Sequence, residues 1–203
     1  IDLIEPVARR IGAVNTVWRR GGKWRGANTD AAAVAGPLAR HLNLAKSSVL
    51  IAGNGGAARG AACALAEAGA KVSLTGRNID RVRALAKTCG AEALSREQAE
   101  AARFDALVHA TPLGMFPHIE GCFFRDSLPA GIVFDMVYNP LETVLLRRAR
   151  EQRKVVINGL EMFVEQAVRQ FEIWTGESAP RPAMEKAARE ALHATTLHTV
   201  LDQ

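Results

Sequence analysis

The sequence predicts an α/β fold built on a doubly wound parallel sheet of about six strands, covered by helices on both faces. Three observations lead there. Short apolar runs alternate with helical segments from Ser48 onward, one run ends in the glycine turn Gly53-Asn54-Gly55-Gly56-Ala57, and the helix beyond it is rich in alanine. The expected strands are Val49 to Ala52, Val72 to Thr75, a weak Ala91 to Leu94, Ala106 to His109, Ile132 to Asp135 and Val155 to Ile157. Helices are expected between them at Gly56 to Ala68, Ile79 to Thr88, Arg96 to Ala102 and Leu141 to Gln152. Strands joined by helical crossovers run parallel, because each crossover carries the chain back to start the next strand in the same direction.

Ahead of that sheet, Asp2 to Ile11 reads as a helix, and Ala13 to Arg19 and Lys23 to Ala27 read as strands joined at Gly21-Gly22. Asn28-Thr29-Asp30 supplies a helix start, with Ala31 to Leu42 as the helix and Pro37 interrupting it. After the sheet, Gly159 to Thr175 reads as a helix ended by Gly176. A break at Pro180 and Pro182 then precedes a last helix from Ala183 to about Leu201. The exception is Ala110 to Ala130, a long aperiodic segment carrying the exposed-looking Phe123-Phe124. Loops this long are usually functional or disordered, and one leaving the carboxyl end of a strand borders the crevice where such sheets bind ligands.

At 203 residues, 48% hydrophobic and 23% charged, the chain can bury one good core and part of a second. Its net charge of +5 suits small anionic ligands; the basic residues are scattered, not gathered with aromatics into a stripe, which argues against nucleic acid. Cys63, Cys89 and Cys122 are an odd, widely spaced set without C-x-x-C, so they read as free thiols in a reducing compartment. His193 and His198 are five apart and spread around a helix, His41 and His118 read as surface residues, and no metal site is expected. Met162, Phe163 and Val164 read as core. No run reaches membrane-spanning length and no signal peptide is visible, so a cytoplasmic location is expected. A chain opening on Ile1 is expected to be a fragment whose first helix packs on something upstream.

Chemistry enters at the glycine turn. Gly53 permits the tight turn off the strand, Gly55 lets backbone N–H groups approach a pyrophosphate, and Ala58 keeps the helix close to the sheet. The helix N-terminus adds unpaired amides and a partial positive charge. A strand, such a turn and a helix together mark Rossmann-type dinucleotide binding; the bland alternative is a glycine turn that binds nothing. The second strand then selects the cofactor. An NAD site places an acid at its end, whereas here the chain continues Gly76-Arg77-Asn78-Ile79-Asp80-Arg81. Two guanidinium groups one helical turn apart suit the dianionic 2′-phosphate of NADP.

Taken together, the motifs resemble the shikimate dehydrogenase family. They occur in the family's order: Gly12-Ala13-Val14-Asn15-Thr16, Asn28-Thr29-Asp30, Gly53 to Ala57, Arg77 to Arg81, and Ala110-Thr111-Pro112-Leu113-Gly114-Met115. Asp135-Met136-Val137-Tyr138-Asn139-Pro140 and Gly159-Leu160-Glu161-Met162-Phe163-Val164-Glu165-Gln166 complete the set. The last phrase, with Phe171, Thr175-Gly176 and Ala179-Pro180, is similar to the dehydrogenase half of bifunctional dehydroquinate dehydratase–shikimate dehydrogenase enzymes, which implies a fused or upstream dehydratase domain as partner.

The resemblance implies NADPH-dependent, reversible reduction of 3-dehydroshikimate to shikimate, a step of aromatic amino-acid biosynthesis. It assigns substrate contacts to Asn15, Asp30, Tyr138 and Gln166, with Asp30 catalytic. It assigns NADP to Gly53, Asn54, Gly55, Gly56, Ala57, Arg77, Asn78, Arg81, Thr111, Met136 and Gly159, with Met162 at the nicotinamide end. The implied domains are a partial substrate domain, 1–29 and 162–203, around an NADP-binding domain, 30–161. The family pairs the Asp with a Lys that would lie upstream of Ile1, so this chain is expected to bind NADP but turn over poorly. Gly76 and Asn78 depart from the usual Asn and Thr around Arg77, and His109 stands where the family often has Asn.

Reducing a ring carbonyl requires a proton at oxygen as hydride arrives, which independently suits a positioned acid such as Asp30. On local grounds alone Asp30 would be a first-turn helix acid, Asn15 a partner for buried backbone, Tyr138 a core hydrogen bonder and Gln166 a solvated helix residue. The sequence leaves two rival readings open. One is another Rossmann reductase, such as a methylene-tetrahydrofolate dehydrogenase or glutamyl-tRNA reductase module, and the other is a metabolite-sensing regulator resembling quinate repressors.

Overall fold

A computed structural model describes residues 1–125 and 127–201, the side chains of 193–201 aside. Strands β4 (Ser48–Ala52), β5 (Lys71–Thr75), β6 (Glu92–Ala93), β7 (Phe104–His109), β8 (Ala130–Asp135) and β9 (Val155–Ile157) form one six-stranded sheet. All pairings are parallel, in the order β6-β5-β4-β7-β8-β9. Strand order reverses at β4 and β7, so their carboxyl ends frame a crevice. Four helices cross between the strands: α3 (Gly56–Glu67), α4 (Ile79–Cys89), α5 (Arg96–Ala101) and α6 (Val144–Glu151). This is the doubly wound fold that the alternating runs imply.

The continuous apolar strands reflect burial on both faces. In β4, Val49 and Ile51 join one core and Leu50 and Ala52 the other, as the two-residue period of a strand requires. Ala58, Ala61 and Ala62 of α3 sit in the first core, where small side chains let the helix lie close to the sheet. Two of the three cysteines also meet there. Cys63 and Cys89, both free and distant in sequence, bring their sulfurs to 2.7 Å. Burial and the neighbouring thiol push the Cys89 thiol up to about 12.

The second face explains a departure from expectation. Phe123 and Phe124, which look exposed in sequence, are buried at 4% and 1% exposure. Among the described residues the connection from β7 to β8 contains no helix; the two rings, packed edge to face at 5.0 Å, join Ala99 of α5 and Leu145, Leu146 and Ala149 of α6 in covering this sheet face. Arg96 spreads over the Phe123 ring and donates to the Phe123 carbonyl, and Arg148 donates to the Phe124 carbonyl at 3.1 Å.

At the N-terminus the expected helix from Asp2 is corrected. Leu3–Ile4 form a strand, β1, parallel to β3 (Lys23–Ala27), and the helix α1 covers only Pro6–Ile11. Pro6 explains the start, since proline fits the first helical turn and not the residues before it. With β2 (Thr16–Arg20), these strands make a small sheet, β1-β3-β2. Asn15, expected within a strand, instead precedes β2, while its N–H still reaches the Ala27 carbonyl at 3.1 Å. Helix α2 (Thr29–Ala39) runs through Pro37 rather than breaking there; it ends soon afterwards, short of the expected Leu42. Helix α7 (Gly159–Thr175) matches the expected bounds, and α8 (Arg181–Leu201) starts two residues early. Of the trio read as core, Val164 is buried and Met162 partly so, but Phe163 is 38% exposed. The side chains of His193 and His198 lie outside the described residues. Among those described, no helix is long and apolar enough to cross a membrane.

If the two rings are part of the cover of the sheet, Phe124→Ala should cost about 3–5 kcal/mol of unfolding free energy. Phe116→Ala, in the same loop but 46% exposed, should cost under about 0.5 kcal/mol. Urea unfolding of both variants checks this, and equal losses would contradict the packing.

Candidate active site

The β4–α3 turn is built by close backbone approach. Gly53 has φ +142°, and a Cβ there would lie 2.5 Å from the Ala110 carbonyl oxygen at the end of β7. A Cβ on Gly55 or Gly56 would meet nothing within 4 Å, so the turn presents bare backbone to open space. Helix α3 is also uncapped: Gly55 offers no side-chain acceptor to its first amides. The helices α2, α4, α5, α6 and α7 are each capped by a side chain, from Asn28, Asn78, Ser95, Thr143 and Asn158 respectively. The α3 amides thus remain available to an anion, with the positive end of the helix dipole behind them.

Three cavities run along the carboxyl edge of the sheet and share their walls. One of about 400 Å³ is lined by Gly76, Arg77, Ile79, Ser95 and Leu113. The next, about 140 Å³, lies over Gly53, Asn54 and Gly55 and shares Gly76, Arg77 and Leu113 with the first. The third, about 430 Å³, is lined by Gly56, Thr111, Met115, Met136, Val137 and Tyr138 and shares Gly55, Ala110 and Thr111 with the second. A wide, a narrow and a wide compartment in line fit an extended molecule with a bulky group at each end of a diphosphate. A separate cavity of about 670 Å³ shares no residue with these; alanines line it together with Glu5, Glu67, Glu172 and Arg169, three acids against one base.

Beyond β5, Arg77 and Arg81 are exposed and engage in no ion pair among the described residues, whereas the nearby Arg83 is held by Asp80. Asn78 spends its side-chain oxygen on the Arg81 N–H, and the Asn54 amide reaches the Asn78 carbonyl at 3.4 Å. At the other end, α7 begins against β8. A Cβ on Gly159 would lie 2.3 Å from the Val137 carbonyl oxygen, so only glycine lets α7 start there. Met162 is partly buried against the main core.

Asn15 and Asp30 come together at the mouth of the small sheet. Asn15 Oδ1 accepts the Thr29 N–H at 2.9 Å and the Thr16 hydroxyl at 2.9 Å, and its Nδ2 donates to Thr29 Oγ1 at 3.1 Å. Burial raises the Asp30 carboxyl above the ordinary aspartate pKa, and a hydrogen bond from Asn15 pulls it partly back. Gln170, which the sequence reading missed, donates to Thr16 Oγ1 at 3.3 Å. Its signal was present as the four-residue spacing from Gln166. Met162, Gln166 and Gln170 form one stripe on α7, since residues four apart share a helix face. Tyr138 is no core hydrogen bonder: it is 43% exposed and stacks on Phe163, ring centroids 5.0 Å apart. Gln166 donates to the Phe163 carbonyl on the same helix.

Comparison with known proteins follows the same outline. The family description "Shikimate / quinate 5-dehydrogenase" matches residues 37–113, and "Shikimate 5'-dehydrogenase C-terminal domain" matches 159–189. A shikimate dehydrogenase (NADP(+)) of Maridesulfovibrio salexigens is 40% identical over 196 residues, covering 95% of this chain and 70% of that protein. The chain belongs to the shikimate dehydrogenase family. A Thermus thermophilus shikimate 5-dehydrogenase solved with NADP(H) and shikimate superposes with a TM-score of 0.85 at 38% identity, over 94% of this chain and 73% of that one. A chorismate mutase/shikimate 5-dehydrogenase fusion protein from Clostridium acetobutylicum gives a TM-score of 0.86 at 27% identity, over 94% and 72% of the two chains.

Within this family member the raised Asp30 pKa has a defined consequence. The native carboxyl holds its proton more tightly than the unfolded chain does. Its contribution therefore favours folding below the ordinary aspartate pKa and is lost as pH rises through the higher native value. An NMR titration of the Asp30 carboxyl should show a midpoint above the ordinary aspartate value, rising further in Asn15→Ala. A midpoint at or below that value would show that burial does not dominate.

Proposed function

We propose that this chain binds NADP(H) along the crevice and acts as a shikimate dehydrogenase, interconverting 3-dehydroshikimate and shikimate. The bare N-terminus of α3, alone among the four helices that cross between strands of the large sheet in having no side-chain cap among the described residues, carries the reading. In this reading Gly53, Asn54, Gly55, Gly56 and Ala57 hold the pyrophosphate. Arg77 and Arg81 meet the 2′-phosphate beside Asn78, and their freedom from ion pairs supports that role. Thr111, Met136, Gly159 and Met162 border the nicotinamide end. Bound NADP(H) supplies or accepts the hydride.

Asn15, Asp30, Tyr138 and Gln166 take the substrate, joined now by Gln170. Asp30 is the proposed catalytic residue. A carboxyl whose proton is held by burial can deliver it to the carbonyl oxygen in reduction and take it back in oxidation. The proposed division is an NADP-binding domain over 30–161 with 1–29 and 162–203 on the substrate side. A dehydratase domain fused or upstream belongs to the same proposal; the Clostridium fusion shows that this fold tolerates being joined to another enzyme.

Fluorescence titration tests the cofactor assignment. NADPH should bind at least about tenfold tighter than NADH. Arg77→Ala should weaken NADPH by about 10- to 100-fold, the worth of hydrogen bonds to a charged group, and leave NADH within about twofold. A preference for NADH would remove the role given to Arg77 and Arg81.

A further inference from the structure

Two backbone segments wall the 430 Å³ cavity: residues 110–116, leaving β7, and 136–139, leaving β8. A backbone hydrogen bond joins them, from the Phe116 N–H to the Asn139 carbonyl at 3.1 Å. Beneath them runs a buried line of side-chain hydrogen bonds centred on His109, which is 1% exposed and stands at the last position of β7. His109 Nδ1 lies 2.9 Å from Asp135 Oδ1, and His109 Nε2 lies 2.5 Å from the Thr111 hydroxyl.

The donors available give each bond its direction. The Asp135 carboxylate can only accept, so His109 Nδ1 carries a hydrogen and donates to it. In the neutral ring Nε2 then accepts the Thr111 hydroxyl proton, and Thr111 Oγ1 itself accepts the Leu113 N–H at 3.2 Å. The Asp135 carboxylate also accepts the Val137 N–H at 3.1 Å and the Thr143 hydroxyl at 2.6 Å. Every buried polar group in the line is satisfied, and a satisfied network of this kind holds its members in one arrangement. One end is the Thr111–Leu113 backbone and the other is Val137, so the line fixes both walls of the cavity.

We propose that His109 is a positioning residue, bridging Thr111 to Asp135 so that the two cavity walls stand at the spacing the nicotinamide end requires. The proposal rests on the cofactor reading above. An imidazole is suited to the task because its two nitrogens face opposite ways, one donating and one accepting. A leucine of similar bulk can do neither. An asparagine side chain also carries one donor and one acceptor and should restore most of the bridge.

Titration with NADPH and with 2′,5′-ADP, which has the adenosine and 2′-phosphate but no nicotinamide, separates the possibilities. His109→Leu should weaken NADPH by about tenfold and leave 2′,5′-ADP within about twofold; His109→Asn should recover most of the loss. If His109→Leu does not fold, the ring ¹⁵N signals of His109 in the unaltered protein carry the test. They should shift on adding NADPH and stay in place on adding 2′,5′-ADP. Unaltered NADPH binding by His109→Leu, equal loss of both ligands, or unmoved ring signals would overturn the proposal alone. Unaltered protein that binds neither ligand would end the cofactor reading and this proposal with it.

Discussion

Two contacts of backbone on backbone hold the crevice together: Gly53 against Ala110 and Gly159 against Met136 and Val137. Each brings a helix start within a distance that no Cβ permits. The first places the uncapped end of α3 at the strand-order reversal; the second places α7 beside the end of β8. Without them the ends of β4, β7 and β8 could still pair as a sheet, since their ladder does not involve these glycines. The crevice would nonetheless be wider, and the α3 amides would face water instead of a shaped slot. Unpaired backbone donors are tolerated where solvent or a ligand reaches them, and a helix with neither cap nor burial at its N-terminus is prepared for an anion.

Charge follows the same logic of what is left over. A net charge of +5 identifies no ligand by itself. Several arginines are engaged in fastening elements: Arg40 to Glu161 joins α2 to α7, Arg181 to Glu165 joins α8 to α7, and Arg96 and Arg148 secure the Phe123–Phe124 loop. Arg77 and Arg81 fasten nothing among the described residues, and they border or adjoin the compartment at the β5 end of the crevice. Their placement, and not the total, suits the phosphate site proposed there.

The long parallel strands and the helices between them are readable because burial on both faces leaves little choice of residue type, and because Asn28 and Ser95 mark helix starts chemically; α6, expected from Leu141, starts only at Val144, behind the Thr143 cap. What escaped the reading depended on partners distant in sequence. Leu3–Ile4 is too short to show a period and exists as a strand only through β3. Phe123 and Phe124 look like loop aromatics until their packing with α5 and α6 on one face of the sheet is known. Pro37 was given the weight of a helix breaker, but so near the end of α2 it forfeits one backbone bond with little helix left to lose. In the candidate site, glycines and arginines announced themselves through a motif. Gln170 did not, because its meaning comes from Thr16, which lies 154 positions away.

Helix α7 relates the two halves of the proposed chemistry. It starts on Val137, at the wall of the cavity assigned to the nicotinamide, and its stripe of Met162, Gln166 and Gln170 ends at the hydrogen bonds around Thr16 and Asn15, next to Asp30. Eight residues of helix separate Met162 from Gln170, a rise of about 12 Å. Carbonyl reduction needs a hydride and a proton delivered to neighbouring atoms, and a small error in relative placement is costly in rate. A flexible connection between the cofactor wall and the acid would leave that placement to chance. A single helix, seated at one end by a contact only glycine allows and at the other by a hydrogen-bonded cluster, removes the freedom.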